Sequence, residues 1–367
     1  MKEYLIALVV GVLVAIAPFM SVASGANSYQ QWLQKQQTSF HQYKTQYQQR
    51  YQAFKRKLRE KWQTHAEMPG RQQYVQYSPD LSVKTVLDYA HNEIRVESID
   101  GKSLPSSSAV LAQLSKETVT QTLKSDLLLK LKKVSQKKQT LLESMTGEKR
   151  HIPETQVTHK QLKGDKGQII QQMTIKLDIQ TKRRAGPYLS QVHRLARQYQ
   201  LDPALILSVI KTESAFNPLA QSPIPAFGLM QIVPASAGLD VNQKLNRIHR
   251  HPSKEDLFDA KTNLQFGSGY LYLLNQRYLA SIKDQRSRMY CMIAAYNTGM
   301  GNVASAFNSD RSKRLKPAVK IINRLSFEQV YQHLEHHLPY QETRRYLKKV
   351  TSAYRVYSGS MTDKKIH

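Results

Sequence analysis

The segment DPALILSVIKTES, residues 202–214, decides how the second half of the chain is read. Asp202 is a good N-cap, and Pro203 fills the first helical position, where a missing N–H and a fixed φ cost nothing. Counting back from Glu213 in fours reaches Val209 and Leu205, while Ile210 and Ile206 lie three and seven residues back. The carboxylate therefore shares the stripe that faces the core, and at least half of it is expected to be buried. Loss of hydration disfavours the charged form and raises a carboxyl pKa, which suits a group that holds a proton near neutral pH and then donates it. A lone glutamate at a stripe edge can also snorkel to solvent, since charged residues are seldom fully buried.

The surroundings of Glu213 separate the two readings. Glu213-Ser214-Ala215-Phe216-Asn217-Pro218, then Ser222-Pro223, then Gly228-Leu229-Met230-Gln231-Ile232 resembles, in order and spacing, the core of the family 1 soluble-type lytic transglycosylases, relatives of goose-type lysozyme. Ala294-Ala295-Tyr296-Asn297-Thr298-Gly299 is similar to the third motif of that family, and Glu342-Thr343-Arg344-Arg345-Tyr346 to its fourth. The resemblance runs from Tyr188 to Tyr357, nearly half of the 367 residues. Upstream, the chain is similar, more loosely, to the N-terminal domain of the membrane-bound lytic transglycosylase C subfamily.

The resemblance implies a mostly helical, lysozyme-like C-terminal catalytic domain that acts as a peptidoglycan lytic transglycosylase without a cofactor. Glu213 aligns with the acid that protonates the glycosidic oxygen between N-acetylmuramic acid and N-acetylglucosamine, and that later acts as base toward the muramyl 6-hydroxyl. Glycoside hydrolysis usually needs two carboxylates. Family members lack the second: the substrate's acetamido oxygen assists, and attack by its own hydroxyl gives a 1,6-anhydro product without water. No second acid lies between Ser222 and Gln231, as that mechanism requires. Two other functions stay open. One is a muramidase that uses water and a carboxylate such as Asp240, Asp256 or Asp259; the other is a non-catalytic wall-binding or assembly protein, although a retired site would be expected to lose its acid first.

Ser222 and Gln231 align with residues lining the family's cleft, where a hydroxyl and an amide can hydrogen-bond the N-acetyl group or the acid. Met230 aligns with the same cleft, packing its floor or touching sugar. Gly228 fits a close backbone approach or a positive φ. Met289, Met292, Ile293 and Tyr296 follow the i, i+3, i+4, i+7 pattern, so Tyr296 is expected on the inner face of a helix that Gly299 ends, its phenol orienting Glu213. Asn297 reads as a cap or loop brace, with sugar contact as the alternative. Tyr346 would reach the cleft from a late helix, and Glu342 reads as a surface residue beside Arg344 and Arg345.

Against 27 Asp and Glu, the 54 Lys and Arg give a formal charge of +27 and a pI near 9.9, which favours a polyanionic partner. Peptidoglycan is one such partner. Nucleic acid is the rival, and the N-terminus argues against it. Lys2 precedes an apolar run from Leu5 to Ala17, and small residues offer cleavage after Ala23 or Ala26, the pattern of an export signal to the periplasm or cell envelope. An uncleaved anchor is the alternative. No cysteine follows the signal, so lipidation of the subfamily's kind is not expected, and the single Cys291 reads as a small core residue.

Between Ser28 and Met68, Phe40, Tyr43, Tyr47, Tyr51, Phe54, Leu58 and Trp62 recur at three and four, which predicts a long amphipathic helix within a Gln-rich segment, 27–70. Its apolar face could pack on the next domain, pair with another chain or lie on a membrane surface. Strands are predicted at Ser82–Tyr89, Glu93–Ile99 and Gln168–Ile179, with helical stretches across Ser106–Leu142. The expected architecture is α+β: signal 1–26, the helix, a smaller α+β accessory domain 71–182, the catalytic domain 183–358 and a basic tail 359–367. Lys130–Lys138 reads as a solvated face that could hold anionic glycan. Glu335-His336-His337 and Arg247–His251 lack convincing metal-ligand spacing. Peptidoglycan strands are the expected partner, with peripheral membrane association and envelope or divisome assemblies left open.

Overall fold

The computed structural model describes residues 23–126, 139–149, 151–165 and 167–362. Leu5–Ala17, Lys130–Lys138 and the last five residues of the tail lie outside the described residues. The described residues form two compact units that interleave in sequence: those of Leu33–Arg197 with Val209–Gly267, and Gln198–Ser208 with residues 23–32 and 268–362.

The first unit contains a five-stranded antiparallel sheet in the order β1-β2-β3-β5-β4. The strands are β1 (Gln73–Tyr77), β2 (Val83–Asp88), β3 (Glu93–Ser98), β4 (Thr155–Lys163) and β5 (Ile169–Leu177). The register puts Leu87 opposite Ile94 and Val96 opposite Met173, so one face is apolar; the other carries Lys84 opposite Glu97 opposite Gln172. Three short helices, α2 (Ser107–Leu114), α3 (Val119–Ser125) and α4 (Leu141–Thr146), start at Ser106, Thr118 and Thr140, whose hydroxyls accept backbone N–H groups of the first turn. The Tyr74 hydroxyl, on the apolar face, donates to Asp126 at the end of α3 at 3.2 Å.

Helix α1 (Ala23–Trp62) follows the expected stripe: Tyr47, Tyr51, Leu58 and Trp62 are buried, with Tyr43 and Phe54 half-buried. Its apolar face is a packing face. Trp62 is fully buried with Ile99 and Ile170, and its indole N–H donates to the Leu81 carbonyl at 2.7 Å. The helix stops at Trp62, short of the predicted Met68, because Gln63 turns left-handed at φ +54° and a short 3-10 turn follows. Beside Trp62 the buried Lys84 ammonium meets Glu67 at 3.0 Å, Glu97 at 2.7 Å and the His65 carbonyl at 2.7 Å. Arg95 Nε meets Glu97 at 2.8 Å, and its guanidinium also pairs with Glu67.

The α5 (Leu189–Tyr199), α6 (Pro203–Ser214) and α9 (Ala260–Leu273) helices cross from one unit to the other along the chain, with α7 (Leu239–Val241) and α8 (Lys254–Phe258) between. The second unit centres on α10 (Gln285–Thr298), packed against α11 (Met300–Phe307), α13 (Phe327–His337) and α14 (Gln341–Thr362), with α12 (Leu315–Ile322) against α11. Cys291 to Ala295 are buried. Cys291 is a core thiol, its pKa raised by burial. The α+β class and the mostly helical C-terminal half are as expected. Strands β1 and β4 were not. Among the described residues no helix is long and apolar enough to cross a membrane.

Candidate active site

The α6 helix starts as its sequence demands: Asp202 Oδ1 accepts the Ala204 N–H at 2.7 Å, with Pro203 at the first position. Leu205, Ile206, Val209 and Ile210 are all buried, and Glu213, on their stripe, is only 4% exposed. The helix ends in two left-handed residues, Ala215 at φ +52° and Phe216 at φ +66°. Each costs roughly 1–2 kcal/mol in a side-chain-bearing residue. Burial offsets that cost: Phe216 stacks on Tyr188 at 6.3 Å, and Arg184, itself buried, donates to the Ala215 carbonyl at 3.3 Å. Arg184 also donates to the Met145 carbonyl at 2.5 Å, to the Tyr89 carbonyl and to Asn92 Oδ1, tying the end of α6 to the sheet region.

The Gly-Leu-Met-Gln turn is fastened directly to that helix end. The Ser214 hydroxyl, next to Glu213, donates to the Leu229 carbonyl at 2.8 Å. Gly228 has φ +72°, and a Cβ there would fall 2.3 Å from the Leu257 carbonyl and 2.4 Å from Asn263 Nδ2, so both reasons for glycine hold. Asn263 holds the turn on its other side. Its Oδ1 accepts the Met230 N–H at 2.8 Å, and its Nδ2 donates to the Phe227 and Leu257 carbonyls at 2.8 and 2.7 Å. Met230 is fully buried against Gly267 and packs the interior. Gln231, 7% exposed at φ +47°, donates to the Gly228 carbonyl at 3.0 Å. Ser222 is buried, with its hydroxyl on the Ile224 carbonyl. The Tyr47 hydroxyl of α1 donates to the Ser222 carbonyl at 3.1 Å and to Gln221 Oε1 at 3.3 Å.

The link between α1 and β1 forms a further edge. Gln221 N–H donates to the Gly70 carbonyl at 3.2 Å, Asn217 Nδ2 to the Arg71 carbonyl at 3.2 Å, and Gln72 Nε2 to the Thr212 carbonyl at 3.1 Å. Arg71 Nη1 lies 3.8 Å from Glu213 Oε2.

Glu213, Ser222, Met230 and Gln231 thus belong to one unit; Tyr296, Asn297 and Tyr346 belong to the other. Tyr296 is half-buried, its ring 5.6 Å from that of Tyr270. Asn297 Oδ1 accepts the Thr343 hydroxyl at 2.8 Å, a brace between α10 and α14, and Gly299 ends α10 at φ +85° with its N–H on the Ala295 carbonyl. Tyr346 is buried on α14 and Glu342 is exposed. Of the acids considered for hydrolysis, Asp256 and Asp259 accept backbone N–H groups of Ser253 and Thr262 as helix caps at 3.0 and 2.8 Å, and Asp240 lies 3.8 Å from Lys244. Among the described residues no group of three or more metal-ligating side chains is assembled.

Arg71, Arg184 and Asn263 were not read from the sequence. In a chain with 54 basic residues a lone arginine carries no signal, and an asparagine inside a helix reads as solvent-facing.

Residues 190–318 match the family model of the transglycosylase SLT domain. That segment contains Glu213, the Gly228–Gln231 turn and Tyr296-Asn297. The chain is 41% identical over 201 residues to the membrane-bound lytic murein transglycosylase C of Cronobacter sakazakii, covering 54% of each protein. It is 45% identical over 174 residues to the protein of the same name from Mannheimia succiniciproducens, covering 47% of each. The chain spans about half the length of the curated relatives it matches. Among solved structures it is similar to the 70 kDa soluble lytic transglycosylase of Escherichia coli, at 24% identity and a TM-score of 0.38, over 49% of this chain and 26% of that one. The lytic transglycosylase Slt of Pseudomonas aeruginosa matches at 24% identity and a TM-score of 0.36, over 47% and 24%.

Proposed function

We propose that the protein is a peptidoglycan lytic transglycosylase, with Glu213 as its single acid and base. The observation that carries this reading is the burial of Glu213 at the end of α6, pinned through Ser214 to the Gly228–Gln231 turn, inside the segment that matches the SLT domain. Glu213 donates its proton to the oxygen leaving C1 of N-acetylmuramic acid as that C–O bond breaks, while the acetamido oxygen supports C1. The muramyl 6-hydroxyl then bonds to C1 and returns its proton to Glu213. No water is consumed, and the product is a 1,6-anhydromuramyl end.

Ser222 and Gln231 hydrogen-bond the sugar in this proposal; contacts from Tyr296, Asn297 and Tyr346 rest on the motif resemblance alone. Commitment of Asp256 and Asp259 to helix caps weighs against a hydrolytic partner acid from that stretch. The division into an accessory region, 71–182, and a catalytic region, 183–358, export to the periplasm, and peripheral association with the membrane belong to the same proposal. Their support is the sequence pattern and the membrane-bound relatives.

The test is mass spectrometry of muropeptides released from isolated sacculi. Wild type should release products lighter by one water than hydrolysis gives. Glu213→Gln should lower turnover by about 10³-fold or more while thermal stability changes by less than about 1 kcal/mol. Water-containing ends from wild type, or a Glu213→Gln variant that still turns over, would refute the reading.

A further inference from the structure

Arg71 lies outside the segment that matches the SLT domain, yet its guanidinium faces the proposed acid at 3.8 Å. A cation near a carboxylate is ordinary in so basic a chain. This pair is not ordinary, because the Glu213 side chain is 5% exposed and Arg71 is 41% exposed, so a half-hydrated charge is brought to a nearly dry one. Its backbone is held in place as well. The Gly70 and Arg71 carbonyls and the Gln72 amide bond to Gln221, Asn217 and Thr212, residues on both sides of Glu213 in sequence. The geometry that sets the acid therefore sets the arginine. At 3.8 Å from Oε2, the Arg71 guanidinium is close enough to act on the Glu213 carboxyl through its charge.

Resting on the function proposed above, we infer that Arg71 is a positioning residue for proton transfer: its charge stabilises the Glu213 carboxylate formed as the proton passes to the leaving oxygen. Arg71 itself loses no proton. The carboxylate persists until the 6-hydroxyl returns a proton, and the guanidinium then faces a neutral acid again. Because the anion develops in the transition state and is absent from the protonated ground state, the effect falls on kcat rather than KM. The accessory region thereby supplies part of the site.

The experiment uses the full chain on soluble uncrosslinked glycan strands, with kcat and KM measured separately. Arg71→Gln should lower kcat by about 10- to 100-fold, less than the loss of a fully buried donor because the arginine is half exposed, with KM within about twofold and unchanged thermal stability. Arg71→Lys should keep kcat within about fivefold of wild type, and free guanidinium should partly restore Arg71→Ala but not Glu213→Gln. A kcat for Arg71→Gln within about twofold of wild type, or folded variants that neither lysine nor guanidinium restores, would overturn the inference. Wild type that releases sugars without anhydro ends refutes the lyase reading alone, since a hydrolytic acid needs the same support. Wild type that releases nothing refutes both.

Discussion

Two charged sites in the same compact unit are built in opposite ways. Beside Trp62, Lys84, Arg95, Glu67 and Glu97 meet at hydrogen-bond distances, and Lys84 is fully buried among two carboxylates and a carbonyl. At the end of α6, Glu213 is as deeply buried as Glu97, yet the cation that pairs with it is half exposed and 3.8 Å away. In the first site two cations and two carboxylates are matched charge for charge, and loss of one leaves the cluster with an uncompensated buried charge, so the cluster fixes structure. In the second the cation that faces the acid is half hydrated rather than buried with it, the arrangement that the proposed proton transfer uses.

Lys84→Met tests the contrast most severely. It leaves the Glu67 and Glu97 carboxylates sharing Arg95 and should cost about 3 kcal/mol of stability in urea unfolding, with activity per folded molecule unchanged; replacing Lys84 and Glu97 together by apolar residues leaves the Arg95–Glu67 pair matched and should recover most of the loss. Asn263→Ala comes next. It leaves the Phe227 and Leu257 carbonyls and the Met230 N–H without their buried partner, and should cost roughly 2–3 kcal/mol and, unlike Lys84→Met, lower turnover by loosening the turn beside Glu213. Lys211→Met is the smallest and has the opposite sign. Burial, with a lesser contribution from the Arg184 charge, lowers the Lys211 pKa from 10.5 to about 8. The folded state therefore disfavours the charged lysine, a cost fully present below pH 8 and relieved as pH rises toward 10.5, where the unfolded chain also loses its proton. Lys211→Met should gain about 1 kcal/mol at pH 7, after allowance for its partial exposure, and the gain should fade across that window in pH-dependent unfolding.

The same two sites show what sequence can and cannot disclose. Periodicity found α1 because Tyr47, Tyr51, Leu58 and Trp62 repeat at helical spacing along one buried face, and it found the α6 stripe with Glu213 on it. Strands β2, β3 and β5 alternate or carry β-branched runs, and were legible to within one or two residues. The β4 strand was not, because nearly all of its nine residues face solvent and no apolar alternation exists to be seen. The β1 strand is five residues with Tyr74 and Val75 adjacent and both buried, which breaks the period of two. At the site, the acid and its turn were visible through their motifs. Arg71, Asn263 and Arg184 act through tertiary geometry, and no local pattern marks a residue whose partners lie tens of positions away.

The exposed strand β4 has a consequence for how the protein behaves in a crowded compartment. It forms one border of the sheet, and among the described residues no strand lies on its outer side, the arrangement through which sheets of separate molecules can fuse and precipitate. Thr155–Lys163 carries Lys160, Lys163 and His159 and no acid, so two such borders meeting would press like charges together. The basic residues on this border thus guard the molecule against its own kind, and neutralising Lys160 and Lys163 should raise its tendency to aggregate.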